Sequence, residues 1–81
     1  MKLPRDIGGK ELVSLLARFG YQQTRQTGSH VRLKSSTKGN EHHLTIPLHS
    51  PLKVGTLHSI IASIADYLEM QKQDIIDELF G

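Results

Sequence analysis

The 81-residue sequence has no cysteine and no tryptophan, and only two phenylalanines, two tyrosines and three prolines. Without cysteine there is no disulfide framework and no thiolate metal site, so the apolar core alone must hold a chain of marginal size. That usage fits a reducing cytoplasm. The aromatics are too few to form a base-stacking platform, and Phe19, Tyr21, Tyr67 and Phe80 read as structural. No apolar run approaches the ~20 residues of a membrane span, and Met1 to Asp6 lack the apolar stretch of a secretory signal. The expectation is a single cytoplasmic domain over residues 1–81. Acidic residues are also scarce over most of the chain. Residues 1–60 carry nine Lys and Arg against three acids, a net +6, whereas residues 61–81 carry one against five, a net −4. A basic body of this kind points to a polyanionic partner.

What is present is a series of short periodic segments. Leu12, Leu15, Leu16 and Phe19 recur at i, i+3, i+4 and i+7, which predicts a helix opening at Gly8-Gly9-Lys10-Glu11 and closing at Gly20. Gly8 stands at the N-cap with Glu11 three residues on, half of a capping box. Tyr21 to Gln26 is read as a strand from its place between a helix stop and a turn. The next strand alternates, with Val31 and Leu33 on one face and His30, Arg32 and Lys34 on the other. Ser35 to His42 reads as a polar loop. His43 to Leu48 reads as a third strand, with Leu44, Ile46 and Leu48 on the core face. Pro47 cannot donate to a ladder, so this strand is expected at a sheet edge or bent there. Thr56 is a plausible cap for a second helix striped by Leu57, Ile60, Ile61, Ile64 and Leu68. A short helix over Asp74 to Phe80 closes the chain, and no glycine or proline marks whether it is separate.

This order predicts an α+β fold of helix, three-stranded antiparallel sheet, helix and short C-terminal helix, with the helices packed on one face of the sheet. The opposite face, with His30, Arg32, Lys34, His43 and Thr45, is left open. Matching the core faces leaves two registers: Val31 opposite Leu48 with His30 opposite His49, or Val31 opposite Ile46 with His49 a diagonal neighbour. The Thr27-Gly28-Ser29 turn returns Arg25 to the side of His30. The candidate site is therefore His30 and His49 with Arg25, Arg32 and the amides of the turn.

Such a group suits cleavage of an RNA phosphodiester. A neutral imidazole, with a reference pKa near ~6.5, takes a proton from a 2′-hydroxyl, and its conjugate acid returns one to the leaving 5′-oxygen. Guanidinium groups beside the non-bridging oxygens stabilise the charge that develops. DNA lacks the internal nucleophile. His42, His43 and His49 match no strong metal motif, and the scattered acids form no metal cluster, so neither metal nor cofactor is expected. Lys53, just ahead of the second helix, is a further candidate for a phosphate contact. Exposed histidines also occur as plain surface residues. A non-catalytic RNA-binding module of the same fold is thus the alternative, and a protein that docks a partner through its acidic last helix is a third.

The segments Gly9-Lys10-Glu11-Leu12, Gly20-Tyr21, Arg25-Gln26-Thr27-Gly28-Ser29-His30, Thr45-Ile46-Pro47-Leu48-His49 and Lys53-Val54-Gly55-Thr56-Leu57-His58-Ser59-Ile60 together resemble the HicA family of toxins from bacterial toxin–antitoxin pairs. The resemblance implies a fold similar to the double-stranded RNA-binding domain and a metal-independent ribonuclease that cleaves mRNA and stops translation. It implies that His30 is the catalytic residue, with His49 as possible support; Ser29 in the turn is a further candidate for support, and Arg25, Gly28, Arg32, Lys34 and Lys53 are, by their placement, the candidate RNA contacts. The resemblance also implies a cognate HicB antitoxin that covers the site, with DNA met only through the antitoxin complex. Gly8 stands where members often carry serine, and Val31 where some carry a second histidine. Neither departure touches the Gly-Ser-His pattern.

Overall fold

A computed structural model of the protein describes residues 3–81; Met1 and Lys2, the start of the segment read for a signal and for its basic charge, lie outside them. The elements are α1 (Gly9–Leu16), a 3₁₀ turn (Ala17–Phe19), β1 (Gln22–Thr27), β2 (His30–Ser35), β3 (His42–Pro47), α2 (Val54–Leu68) and α3 (Lys72–Phe80). The three strands form one antiparallel sheet in the order β1-β2-β3. The helices lie on one face of it, as the apolar patterning requires.

The α1 stripe is shorter than its periodicity predicts. Leu12 and Leu16 are fully buried, but Leu15 and Phe19 only partly so. For Phe19 the cause is the 3₁₀ turn, whose tighter winding carries it off the stripe. The chain leaves at Gly20 with φ 82°, as expected. At the other end the Gly8 amide donates to Glu11 Oε1 at 3.3 Å, which is the half of the capping box a glycine can keep. Gly9 is needed there for space. Its amide donates to the His49 carbonyl at 2.9 Å, and a Cβ on it would stand 2.0 Å from the Pro47 carbonyl oxygen. The helix therefore starts hard against the end of β3.

β2 and β3 alternate cleanly. Val31, Leu33 and Ser35 are buried on β2, and Leu44 and Ile46 on β3, where they meet Leu57, Ile60, Ile61 and Ile64 of α2. Val31 pairs with Ile46 and His30 with Pro47, which selects the second of the two registers. β3 is an edge strand, and Pro47 ends it. β1 is exposed along all six residues. The strand without apolar residues is the one that contributes nothing to the core, which is why its own sequence marks it so weakly.

Several boundaries differ from the sequence reading: β1 covers Gln22–Thr27 instead of Tyr21 to Gln26, β3 ends at Pro47 instead of Leu48, and α3 opens at Lys72 instead of Asp74. Ser35 and His42 belong to strands instead of the loop between them, and both turn toward the helices. α2 begins at Val54 with Lys53 as its N-cap, ahead of Thr56. There the Leu52 amide donates to the Ile7 carbonyl at 2.8 Å and Leu52 is buried, so the chain is already anchored when the helix starts. α2 and α3 are separate helices. Glu69 takes a left-handed φ of 56°, and the Met70 amide closes back on the Ala65 carbonyl at 3.0 Å. This is a helix stop normally built with glycine. With Glu69 in that place, the sequence carries no sign of the break.

The open sheet face as candidate functional site

The hairpin between β1 and β2 positions the site. Thr27 pairs with His30, leaving Gly28 and Ser29 as a two-residue loop. Gly28 has φ 58°, and Ser29 is not among the positive-φ residues. A positive φ at the first central position alone is the mark of a type II′ turn, which matches the twist of the flanking strands and favours glycine at that position. The Gln26 side-chain amide donates to the Gly28 carbonyl at 3.0 Å and braces the turn. On its other side the Leu48 amide donates to the Ser29 carbonyl at 2.7 Å, so the chain after β3 is tied to the same turn.

Counting back from that turn, Thr27 and Arg25 of β1 share the open face with His30, Arg32 and Lys34 of β2 and with His43 and Thr45 of β3. Arg25 pairs with Arg32, not with His30, and so stands diagonally from the histidine. A bulge at Thr24, whose hydroxyl donates to the Arg32 carbonyl at 3.3 Å, shifts the register ahead of it. Arg25, Thr27, His30, Arg32 and Thr45 line one small cavity of about 130 Å³. A second and larger cavity, about 390 Å³, continues along β2 between Thr24, Arg25, Arg32, Lys34, Glu41 and His43. In it the Glu41 carboxylate stands 3.2 Å from Lys34 Nζ and 3.4 Å from His43 Nε2. The hydrogen bond and charge of Lys34, with a smaller share from His43, hold the Glu41 carboxyl below the usual carboxylate range.

The two histidines of the sequence-derived site line different cavities. His30 lines the open-face cavity, whereas His49 lines another, of about 460 Å³, with Gly8, Gly9, Lys10, Glu11, Ser14, Leu48 and Ser50 at the start of α1. Lys53 is exposed at the N-cap of α2 and lines neither open-face cavity. Ser29 is exposed in the turn. Sequence reasoning left five lining residues without a site role, Thr24, Thr27, Glu41, His43 and Thr45. Thr27 is found by counting across a two-residue turn from His30, and the open-face placement of Thr45 follows from alternation along β3. Glu41 carries no such signal, because it precedes its strand.

The buried face carries a different polar group. His42 Nδ1 is 2.6 Å from the Tyr21 hydroxyl, and Nε2 is 2.9 Å from Ser63 Oγ. Its ring stacks on Tyr67 at a centroid distance of 4.6 Å. Burial, and then the neighbouring charge of His43, hold the His42 imidazole below its usual pKa, with Asp66 opposing them. Burial, and then Tyr67, push the Tyr21 phenol up to about 12. These groups fasten the start of β3 to α2.

A three-stranded antiparallel sheet backed by helices on one side and presenting a basic, histidine-bearing face on the other defines the class of this α+β protein. The family model described as HicA toxin of bacterial toxin-antitoxin matches residues 9–65, most of the chain and all three strands, and the chain belongs to that family. Comparison with curated proteins and with solved structures gives no match.

Proposed function

We propose that this toxin-family protein is a metal-independent endoribonuclease that cleaves mRNA at the open sheet face, with His30 as its proton-transfer residue. The observation that carries this reading is the grouping of His30 with Arg25 and Arg32 around one small exposed cavity. A phosphodiester seated there meets two guanidinium groups, which are fixed cations suited to paired phosphate oxygens. His30 takes the 2′-hydroxyl proton as that oxygen attacks the adjacent phosphorus. The bond from phosphorus to the 5′-oxygen breaks, and the departing oxygen receives a proton, leaving a 2′,3′-cyclic phosphate and a 5′-hydroxyl. His49 and Ser29 are the candidates to assist the second transfer, since the Leu48 to Ser29 hydrogen bond holds the His49 segment beside the turn. Gly28 admits the RNA backbone close to the turn, and Lys34 and Lys53 add backbone contacts.

The protein partner proposed is a HicB-type antitoxin that masks this same basic face; RNA cleavage that persists under saturating antitoxin would count against it. The test of the catalytic role compares wild type with His30→Ala on RNA in the presence of a chelator. Acid–base catalysis is worth roughly 100- to 10,000-fold. The variant is therefore expected to lose that much rate while still binding RNA. Equal cleavage by both proteins, or none by wild type freed of antitoxin, overturns the reading.

A further inference from the structure

The larger open-face cavity is unusual in what fills it. Arg25, Arg32, Lys34 and His43 line it together with a single carboxylate, Glu41, which contacts Lys34 and His43 through its two oxygens. The cavity shares Arg25 and Arg32 with the one that holds His30, so the two are continuous along β2. Alternate residues of a strand stand about 6.6 Å apart on one face. That is on the scale of the step between successive phosphates of an extended nucleic-acid strand. His30, Arg32 and Lys34 are thus set at the pace of a polynucleotide backbone. A carboxylate also offers the same pair of anionic oxygens that a phosphodiester offers to a basic group.

We propose that the Lys34 and His43 cavity is a second phosphate subsite, for the phosphodiester next to the one at His30, and that Glu41 is its resident anion, displaced when RNA binds. This rests on the reading of the open face as an RNA-binding surface and adds to it a subsite with its own internal competitor. Lys34, Glu41 and His43 are all solvent-accessible, at 38%, 56% and 44% of their side-chain surface. Exposed ion pairs are weakly held, so the carboxylate is removable. While it stays, it cancels the charge that a second phosphate would meet. Glu41 therefore sets a threshold: a single phosphate reaches Arg25 and Arg32 without hindrance, and only a chain with a neighbouring phosphate gains by opening the second position.

The test measures binding of a labelled single-stranded oligoribonucleotide across a salt series, with every protein carrying His30→Ala so that no cleavage intervenes. Glu41→Gln is expected to tighten binding several-fold at low salt. It is also expected to steepen the dependence of log K on log salt by about 0.7, the increment for one more phosphate neutralised on a single strand. The control is Glu78→Gln on α3, which changes net charge equally but lies in the helix layer; its slope is expected to match the parent. Adding Lys34→Ala to Glu41→Gln is expected to cancel the gain. An unchanged slope in Glu41→Gln, or the same gain in Glu78→Gln, overturns the subsite while leaving the cleavage reading intact. Failure of the parent to bind RNA at all removes the RNA-binding surface and the subsite with it.

Discussion

His42 and His43 are neighbours in the chain and stand on opposite faces of β3, in two different chemical settings. His42 faces the helices between the Tyr21 hydroxyl and Ser63, and stacks on Tyr67. His43 faces outward and meets Glu41 over a surface bordered by Lys34, Arg32 and Arg25. The sheet thus carries two polar systems back to back: an inner one that closes hydrogen bonds within the fold, and an outer one that leaves cations to be met from outside. In a strand the period of two assigns each residue to one system or the other.

The sharpest way to break that division is to cut on each side of β2. Leu33 is fully buried, and Leu33→Ala is expected to cost about 2–5 kcal/mol, a large part of the stability of a small domain. Arg32→Ala, one residue away, is expected to leave stability within ~0.5 kcal/mol. It should weaken RNA binding and make the salt dependence shallower by about 0.7. Denaturant melts and a binding series on the two proteins check this, and equal loss of stability in both would dissolve the distinction.

A smaller effect separates the two histidines. His42→Ala leaves the Tyr21 hydroxyl and Ser63 without their partner and is expected to cost about 1–3 kcal/mol. His43→Ala should fall within ~0.5 kcal/mol of wild type. Chemical denaturation of the pair at neutral pH reads both. The smallest effects come from titration of the inner system. The His42 pKa is depressed in the fold, first by burial. Its contribution is therefore full above the unfolded value near ~6.5 and is lost as pH falls through the folded one. Tyr21 is raised from 10.0 to about 12, so its contribution is present below 10.0 and is lost as pH climbs toward 12. Urea midpoints across pH should show both limbs in wild type, with the alkaline limb missing from Tyr21→Phe and the acid limb from His42→Ala.

How much of this could be read from the residues follows from what each element buries. β2 and α2 bury apolar residues at their own period, and both were legible. β1 buries nothing, so its sequence reports only where a strand has room to lie. The helix break at Glu69 was invisible because a left-handed residue need not be a glycine. For the candidate site, alternation placed His30 and Arg32 on one face, whereas the expected Thr27-Gly28-Ser29 turn is in fact the two residues Gly28 and Ser29, and Arg25 stands opposite Arg32. The approach of Gly9 to Pro47 draws His49 toward the start of α1, and no strand count foresees that. Glu41 was unreadable for a related reason. Its role comes from contacts across the sheet with Lys34 and His43, which no local pattern encodes.

One contact on the inner side reaches the outer one. The Tyr67 hydroxyl of α2 receives the Lys38 amide at 3.2 Å and donates toward the Ser35 and Asn40 carbonyls, gathering the connection between β2 and β3 around a single oxygen. The residue after Asn40 is Glu41. Timescales inside the molecule are set by such fastenings. With the loop released, Glu41 would swing at the pace of an exposed tip, and its approach to Lys34 would become one brief conformer among many. Held by Tyr67, the carboxylate keeps its station and leaves it by rotation of its own side chain. In amide exchange, Lys38 should therefore behave as part of the folded body, and Tyr67→Phe should speed its exchange without disturbing the amides of the β1–β2 turn.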